Sequence, residues 1–458
     1  MCRDKEGGIL TDEREVIERW KQHYDEHLNG AEAEDQGSRM NDIVATADEG
    51  NMTVPTIDEV KDAIRQLKNN KAAASLWRSQ RKALNATFAP SVLNSFIPRF
   101  ERFAKLLVQD LSESAGCTVN LLRFSSACTF NMICHTTMGI EESDKEEIET
   151  FVSNMDQLTE IVGRRFLSVH LHSERVYRMT ATYHREMEFR RKCNNYAMKI
   201  LNEKMQNKDN NRTRKVFIEQ LLDGSTLGRT FTTTEIVQNV YGMLAAGSET
   251  TALTIAHACL FLAMFPDIQE KVFGEIFTLW PDSDQPLTAA TLSDLVYMEA
   301  FLKEVLRLCP VAPIIARESS APVELDGVNF PKGTIFILNF LTLHRRSEIW
   351  GSDGDCFDPE RFLTGNVENR HPFGFLPFSG GQRNCIGQRY AMMSLKVMVV
   401  QLLRSFRIST QLRYEDLRFQ FGLLLELSSE YLVQFDKRSV DPFQNETGKI
   451  FKEKDLLC

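Results

Sequence analysis

Pro377-Phe378-Ser379-Gly380-Gly381-Gln382-Arg383-Asn384-Cys385-Ile386-Gly387 decides how this chain reads, because a long amphipathic helix pattern follows it at once. The arrangement suits the presentation of one thiolate to a flat, charged metal cofactor. Glycines let backbone approach a planar ring and take tight-turn geometry. Arg383 can pair with an acidic group at the rim of such a ring. A helix start just after Cys385 supplies unpaired N–H groups that favour a negatively charged sulfur. A lone cysteine ligand of this kind suits haem iron.

A buried cysteine beside a glycine turn is the ordinary alternative. It must account for Phe378, Gly381, Arg383, Cys385 and Gly387 in one short window. The run resembles the haem-binding loop of the cytochrome P-450 monooxygenases, Phe-x-x-Gly-x-Arg-x-Cys-x-Gly, at all of those positions. The resemblance implies that Cys385 is the axial ligand of haem iron and that Phe378, Gly381, Arg383 and Gly387 contact the cofactor.

Residues 233–265 form one helical pattern, with Thr232 to Thr234 as caps, Glu235 in the first turn and Pro266 beyond its end. Gly247 in its interior costs about 1 kcal/mol and needs a reason. Two reasons compete: a small-residue packing face, or a local opening of the backbone ladder that holds water or O2. Ala246-Gly247-Ser248-Glu249-Thr250-Thr251 resembles the oxygen-activation motif of the same family. The resemblance implies that Ala246 and Gly247 lie against the haem, that Thr250 supplies a hydroxyl and that Glu249 supplies an acid for proton delivery. Some fatty-acid hydroxylases of the family-four group have Glu at the position of Ala246, where it bonds covalently to haem. Ala246 cannot do so, which implies non-covalent haem b and no inherited fatty-acid substrate.

Further elements follow the family order. Trp77 and Arg81, four apart on a helix face, match its Trp-x-x-x-Arg element, which touches a haem propionate. On their own they read as a surface cation–π pair. Glu304 and Arg307, three apart on an apolar helix, read as a buried pair in need of further partners, with Arg361 of Pro359-Glu360-Arg361-Phe362 as third member. These three are expected to be structural. The family's pocket-lining stretch after Pro310 places Arg317 at a propionate. His344 reads as structural rather than metal-binding. Arg389, Lys396, Arg78 and Lys82 are expected to form a basic rim for an acidic electron donor.

The composition is 43% hydrophobic and 26% charged, which suits a large globular core. Residues 1–74 carry −7 of the net charge of −9, so neither they nor the remainder has the basic excess of a nucleic-acid binder. No apolar run approaches the roughly 20 residues that cross a bilayer. Amphipathic helices are expected at 11–28 and 57–69, with Thr56 and Glu59 as a capping box. This front part resembles the region before the polymerase core of non-LTR retroelement reverse transcriptases, without the glycine-rich turn or the paired aspartates. The expected organisation is therefore an acidic helical segment without chemistry over 1–74, a haem-thiolate monooxygenase domain over 75–437 and a polar tail over 438–458. The expected fold is mainly α with small β sheets, a cytochrome P-450 fold lacking its N-terminal part and preceded by an unrelated helical segment. The missing strands are expected to leave an unpaired sheet edge.

The resemblance, closest to animal microsomal members of the insect type, implies a monooxygenase that activates O2 and inserts one oxygen atom into a hydrophobic small molecule. Electrons come from an NADPH-dependent reductase. The implied location is the cytosolic face of the endoplasmic reticulum membrane, although no anchor is read in this chain. A haem-binding but catalytically impaired fragment is the alternative. A retroelement-derived nucleic-acid-binding protein is the remote one.

Overall fold

The computed structural model describes residues 2–3, 9–10, 77–78, 80–82, 84–140, 144–206, 216–223, 230–282, 285–325, 327–363 and 370–438. The helices expected at 11–28 and 57–69, and the tail after 438, lie outside the described residues. The chain divides into two units, one of residues 1–86, 318–334 and 379–384, the other of 87–317, 335–378 and 385–458.

The second unit is mainly helical. Its principal helices are α1 (Ile97–Ser112), α2 (Leu121–Ile133), α3 (Lys145–Leu167), α4 (Ala181–Gln206), α5 (Thr233–Met264), α6 (Pro266–Leu279), α7 (Val296–Leu308) and α8 (Gln388–Ser405). Helix α1 shows why these segments fold as they do. Phe100, Phe103, Ala104, Leu107 and Leu111 recur at helical spacing and are all buried, while a proline occupies its first turn. Helix α5 begins at the expected place, with Thr232 and Glu235 in a reciprocal capping box. It is buried on every side from Thr251 to Ala263, so it forms the axis of the core.

Helix α5 packs along α2, and α8 packs on both α1 and α5. Small side chains allow the close α2–α5 approach. Ser125 Oγ shares its proton between the Leu122 carbonyl at 3.0 Å and the Ala252 carbonyl at 3.2 Å, and Thr129 Oγ1 shares its own between the Ser125 carbonyl at 2.9 Å and the Ser248 carbonyl at 3.0 Å. Each of these carbonyls belongs to a helix interior, so the hydroxyls add inter-helix bonds without breaking the ladder. No single helix among the described residues is long and apolar enough to cross a membrane.

The sheets are small, as expected. Strands β1 (Thr118–Asn120), β6 (Phe406–Ser409) and β9 (Leu432–Lys437) form an antiparallel sheet with β9 central. Val119 faces Val433 and Ile408 faces Phe435 in its register. Val433 and Phe435 are buried, as the alternation of one packed face requires. Strands β7 (Phe419–Phe421) and β8 (Leu425–Leu427) form a hairpin. Strands β2 (Ile314–Glu318) and β5 (Ile335–Asn339) make a two-stranded sheet in which each has one partner among the described residues. The first unit contains the hairpin of β3 (Val323–Leu325) and β4 (Val328–Phe330), with Gly327 at φ +74° in its turn.

Candidate active site

The loop that carries Cys385 is held at both ends within the second unit. Before it, the Leu376 N–H donates to His344 Nε2 at 2.8 Å. Across it, the Cys385 N–H donates to the Phe378 carbonyl at 2.8 Å and closes the intervening segment into a hairpin-like turn. That segment needs left-handed backbone twice, at Ser379 (φ 60°) and Gly381 (φ 70°). Glycine takes this conformation freely; serine takes it at a cost of order 1 kcal/mol. Helix α8 starts three residues after Cys385, at Gln388. Its first turn directs unpaired N–H groups toward the sulfur end, which favours the thiolate.

The Cys385 thiol is exposed, whereas Cys128, Cys134, Cys193, Cys259 and Cys309 are buried. Burial pushes those five thiols up, so they stay protonated and inert. A Cβ on Gly387 would lie 3.7 Å from Cys385 Sγ, so the glycine keeps one flank of the sulfur clear. No group of three His, Cys, Asp or Glu side chains among the described residues can hold a bare metal ion. A metal bound by Cys385 alone therefore has to bring its other ligands with it, as a porphyrin iron does. The exposed thiol, the helix start and the cleared flank fit that group.

In the first unit, the helical residues at 77–86 grip the segment 379–384. Arg81 donates from Nη1 to the Asn384 carbonyl at 2.7 Å and from Nη2 to Asn384 Oδ1 at 2.8 Å. The Arg383 guanidinium lies over the Trp77 ring, 3.5 Å from its centre. Trp77 and Arg81 thus bind the residues just before the cysteine instead of pairing with each other.

The oxygen-motif residues divide between two faces of α5. Ala246 is exposed and Thr250 half-buried, and the Thr250 hydroxyl donates to the Ala246 carbonyl at 2.7 Å. Thr251 donates likewise to the Gly247 carbonyl at 3.1 Å. The helix is continuous, so the opening of the ladder considered for Gly247 is not what the glycine provides. A Cβ there would meet Ile133 Cδ1 at 2.6 Å, and the missing side chain lets α2 close on α5.

Glu249 points the other way. Thr159 Oγ1 of α3 donates to its Oε2 at 3.2 Å. The carboxyl group opens on a cavity of about 700 Å³ between α3, α5 and the β7–β8 hairpin. Burial, then the nearby Asp156 carboxylate, pushes Glu249 up to about 8, with the Thr159 hydrogen bond opposing the rise. Glu249 therefore carries a proton at neutral pH. Thr159 and the cavity acids Asp156 and Glu426 belong to no motif, and only folding brings them to Glu249.

The three expected structural residues meet. Glu304 and Arg307 are both 0% exposed. Arg307 donates from Nε and Nη2 to the two carboxylate oxygens of Glu304 at 2.6 and 2.7 Å. Its remaining N–H groups reach the carbonyls of His344, Gly354 and Cys356. Arg361 lies 3.7 Å from Glu304 and is itself tied to Asp353. His344 is fully buried, with Nδ1 against the Arg307 carbonyl at 3.2 Å, and burial depresses it to about 3. Both of its ring nitrogens are engaged within the protein.

Arg317 sits half-buried on β2, and burial lowers its pKa. The expected basic rim does not include Lys396. That side chain is buried between the Leu292 carbonyl at 2.7 Å and Glu299 at 2.9 Å, so it caps and pairs instead of facing solvent.

The family profile described as Cytochrome P450 matches residues 50–435. The match begins ahead of the seam expected near residue 74. Among curated proteins, the chain is 30% identical to "Cytochrome P450 4c21" of Blattella germanica over 77% of this chain and 73% of the relative. It is 30% identical to "Probable cytochrome P450 313a4" of Drosophila melanogaster over 79% and 76%. It is 32% identical to "Probable cytochrome P450 313a2" of the same organism over 80% and 76%.

Proposed function

This chain belongs to the cytochrome P450 family, and from that premise we propose that it is a monooxygenase that inserts one atom of O2 into a hydrophobic small molecule, with electrons from an NADPH-dependent reductase. The observation that carries the reading is the exposed Cys385 thiol at the start of α8, a helix packed on the α5 that bears Thr250 and Glu249. Bound non-covalently as haem b, the cofactor would supply the redox and oxygen chemistry.

The chain's own residues have separable roles in this reading. Cys385 would hold the iron through its thiolate. Phe378, Gly381, Arg383 and Gly387 of the loop, Ala246 and Gly247 of α5, and Trp77, Arg81 and Arg317 match the family's cofactor contacts. Thr250 Oγ donates to its own helix at Ala246, so its oxygen lone pairs remain available to accept. Glu249 holds a proton at a carboxyl oxygen at neutral pH and is the donor. Glu304, Arg307 and Arg361 fix the segment before the loop. We also propose that residues 1–74 carry no chemistry, although the family match reaches back to residue 50, and, by resemblance, place the protein at the cytosolic face of the endoplasmic reticulum membrane.

The test is the difference spectrum of the reduced protein with carbon monoxide. A thiolate-type Soret band that Cys385→Ser abolishes is expected. Its absence, or its persistence in the variant, would sink the reading. The band without product, once reductase and NADPH are supplied, would leave a haem-binding protein that does not turn over.

A further inference from the structure

We infer that Thr159 is a positioning residue for Glu249, its hydroxyl holding the carboxyl group on the α3 side of α5, where the acid exchanges its proton through the cavity. The inference rests on the proposed role of Glu249 as donor.

Thr159 is 8% exposed and lies on the inner face of α3. A buried hydroxyl needs a partner, and this one donates to Glu249 Oε2. Glu249 and Thr250 are neighbours on a helix and so point about 100° apart. The bond to Thr159 therefore keeps the acid turned from the Thr250 hydroxyl. One turn further along α3, Gly163 lets the hairpin tip close the cavity wall, since a Cβ there would lie 2.8 Å from the Leu423 nitrogen. When Glu249 donates, its O–H bond breaks as an O–H bond forms on the water molecule that accepts the proton. The carboxylate left behind takes a proton from bulk water through the cavity, and the Thr159 hydroxyl stabilises it in the interval.

The charged groups around this acid are unevenly used. On α3, Glu160 is paired with Arg164 at 2.6 Å, whereas Asp156 stands exposed at the cavity edge. Glu149 of α3 and Arg123 of α2 are lining residues too, and both are exposed. Glu426 enters from β8, and Tyr241 lies two turns back on α5. Asp156 and Glu426 favour the protonated form of Glu249; Thr159 favours the charged form. Two positions one turn apart on α3 therefore act on Glu249 with opposite sign.

The experiment titrates Glu249 in the full, haem-loaded chain by the infrared carbonyl band of its protonated form, assigned by its loss in Glu249→Gln. Thr159→Val is expected to move the midpoint up by about half a pH unit, the worth of one hydrogen bond. Thr159→Ser is expected to titrate as the parent does, and Asp156→Asn to move the midpoint down. A folded Thr159→Val with the parent midpoint overturns the inference, as does a shift shared equally by the Ser variant. If Thr159→Val does not fold, a Thr159→Ala variant takes its place under the same criterion. The carbon monoxide band is recorded on the same samples. Its presence with an unmoved titration rejects Thr159's role alone; its absence rejects the monooxygenase reading.

Discussion

The Leu376 N–H donates to Nε2 of His344, and this bond ties the cysteine loop to the buried ion pair of α7. Because Nε2 accepts, Nδ1 carries the proton and donates to the Arg307 carbonyl. Arg307 in turn donates to the carbonyl of His344. The loop is thus fastened, one residue ahead of Pro377, to the most deeply buried charges among the described residues.

His344→Leu is expected to destabilise the protein by about 1–3 kcal/mol, since it leaves the Leu376 N–H and the Arg307 carbonyl without their partner. It should also weaken the thiolate-type Soret band at temperatures where the variant remains folded. Chemical denaturation together with the carbon monoxide spectrum checks both. A variant with parental stability would show that the loop does not depend on this bond.

The ion pair itself is expected to tolerate loss of one partner poorly. Arg307→Leu leaves Glu304 buried with only Arg361 and the Asp358 N–H facing it. The expected cost is about 3–5 kcal/mol, read from the shift of the urea midpoint. Arg307→Lys should not rescue, because a single ammonium cannot reach both carboxylate oxygens and three carbonyls at once.

How much of this was legible beforehand depends on how far apart the partners lie in sequence. The cysteine loop is contiguous, so the residue types that need left-handed backbone and a clear sulfur stand next to one another and declare the turn. The Glu304–Arg307 pair is three residues apart on an apolar helix, and its burial follows from that setting. The capping box of α5 is local too. The Thr159–Glu249 bond spans 90 positions and joins two helices whose angle no periodicity specifies. Lys396 looked like surface because lysine ordinarily is. Its burial depends on Glu299, 97 positions away. Gly247 announced a close approach or an opening, and only the position of Ile133 decides between them.

That decision gives a packing prediction. Gly247→Val puts a branched side chain where Ile133 now sits, and it is expected to destabilise by about 1–3 kcal/mol despite the better helix propensity of valine. Ile133→Ala in the same chain should recover part of the loss, because it vacates the contested space. The double-mutant cycle measures the coupling. Strict additivity would mean that the two residues do not share that space.

Stability should also fall below neutral pH for a reason located in two side chains. His344 and His257 are both buried and depressed to about 3, well under the ordinary value of 6.5. The unfolded chain therefore binds protons more readily than the folded one. Their contribution is complete above pH 6.5 and drains as the pH falls toward 3, at up to about 1.4 kcal/mol per pH unit for each histidine. His257→Phe should flatten that dependence by close to one proton, and the urea midpoint between pH 7 and pH 4 measures it.

Glu249 titrates with the opposite sign. Its folded value, raised to about 8, exceeds the ordinary 4.5, so folding favours its protonated form. The associated stability is fully present below pH 4.5 and disappears as the pH rises through 8. Glu249→Gln cannot ionise, so it is expected to unfold at a higher urea concentration than the parent at pH 8 and at the same concentration at pH 4. The gain at pH 8 should be on the order of 1 kcal/mol or more, limited by the water that the cavity admits. The same variant is expected to lose product formation while keeping the thiolate-type Soret band, because the acid is needed for proton delivery and not for holding iron. A Glu249→Gln protein with no stability gain at pH 8 would mean that the parent carboxyl group is not held protonated by its surroundings.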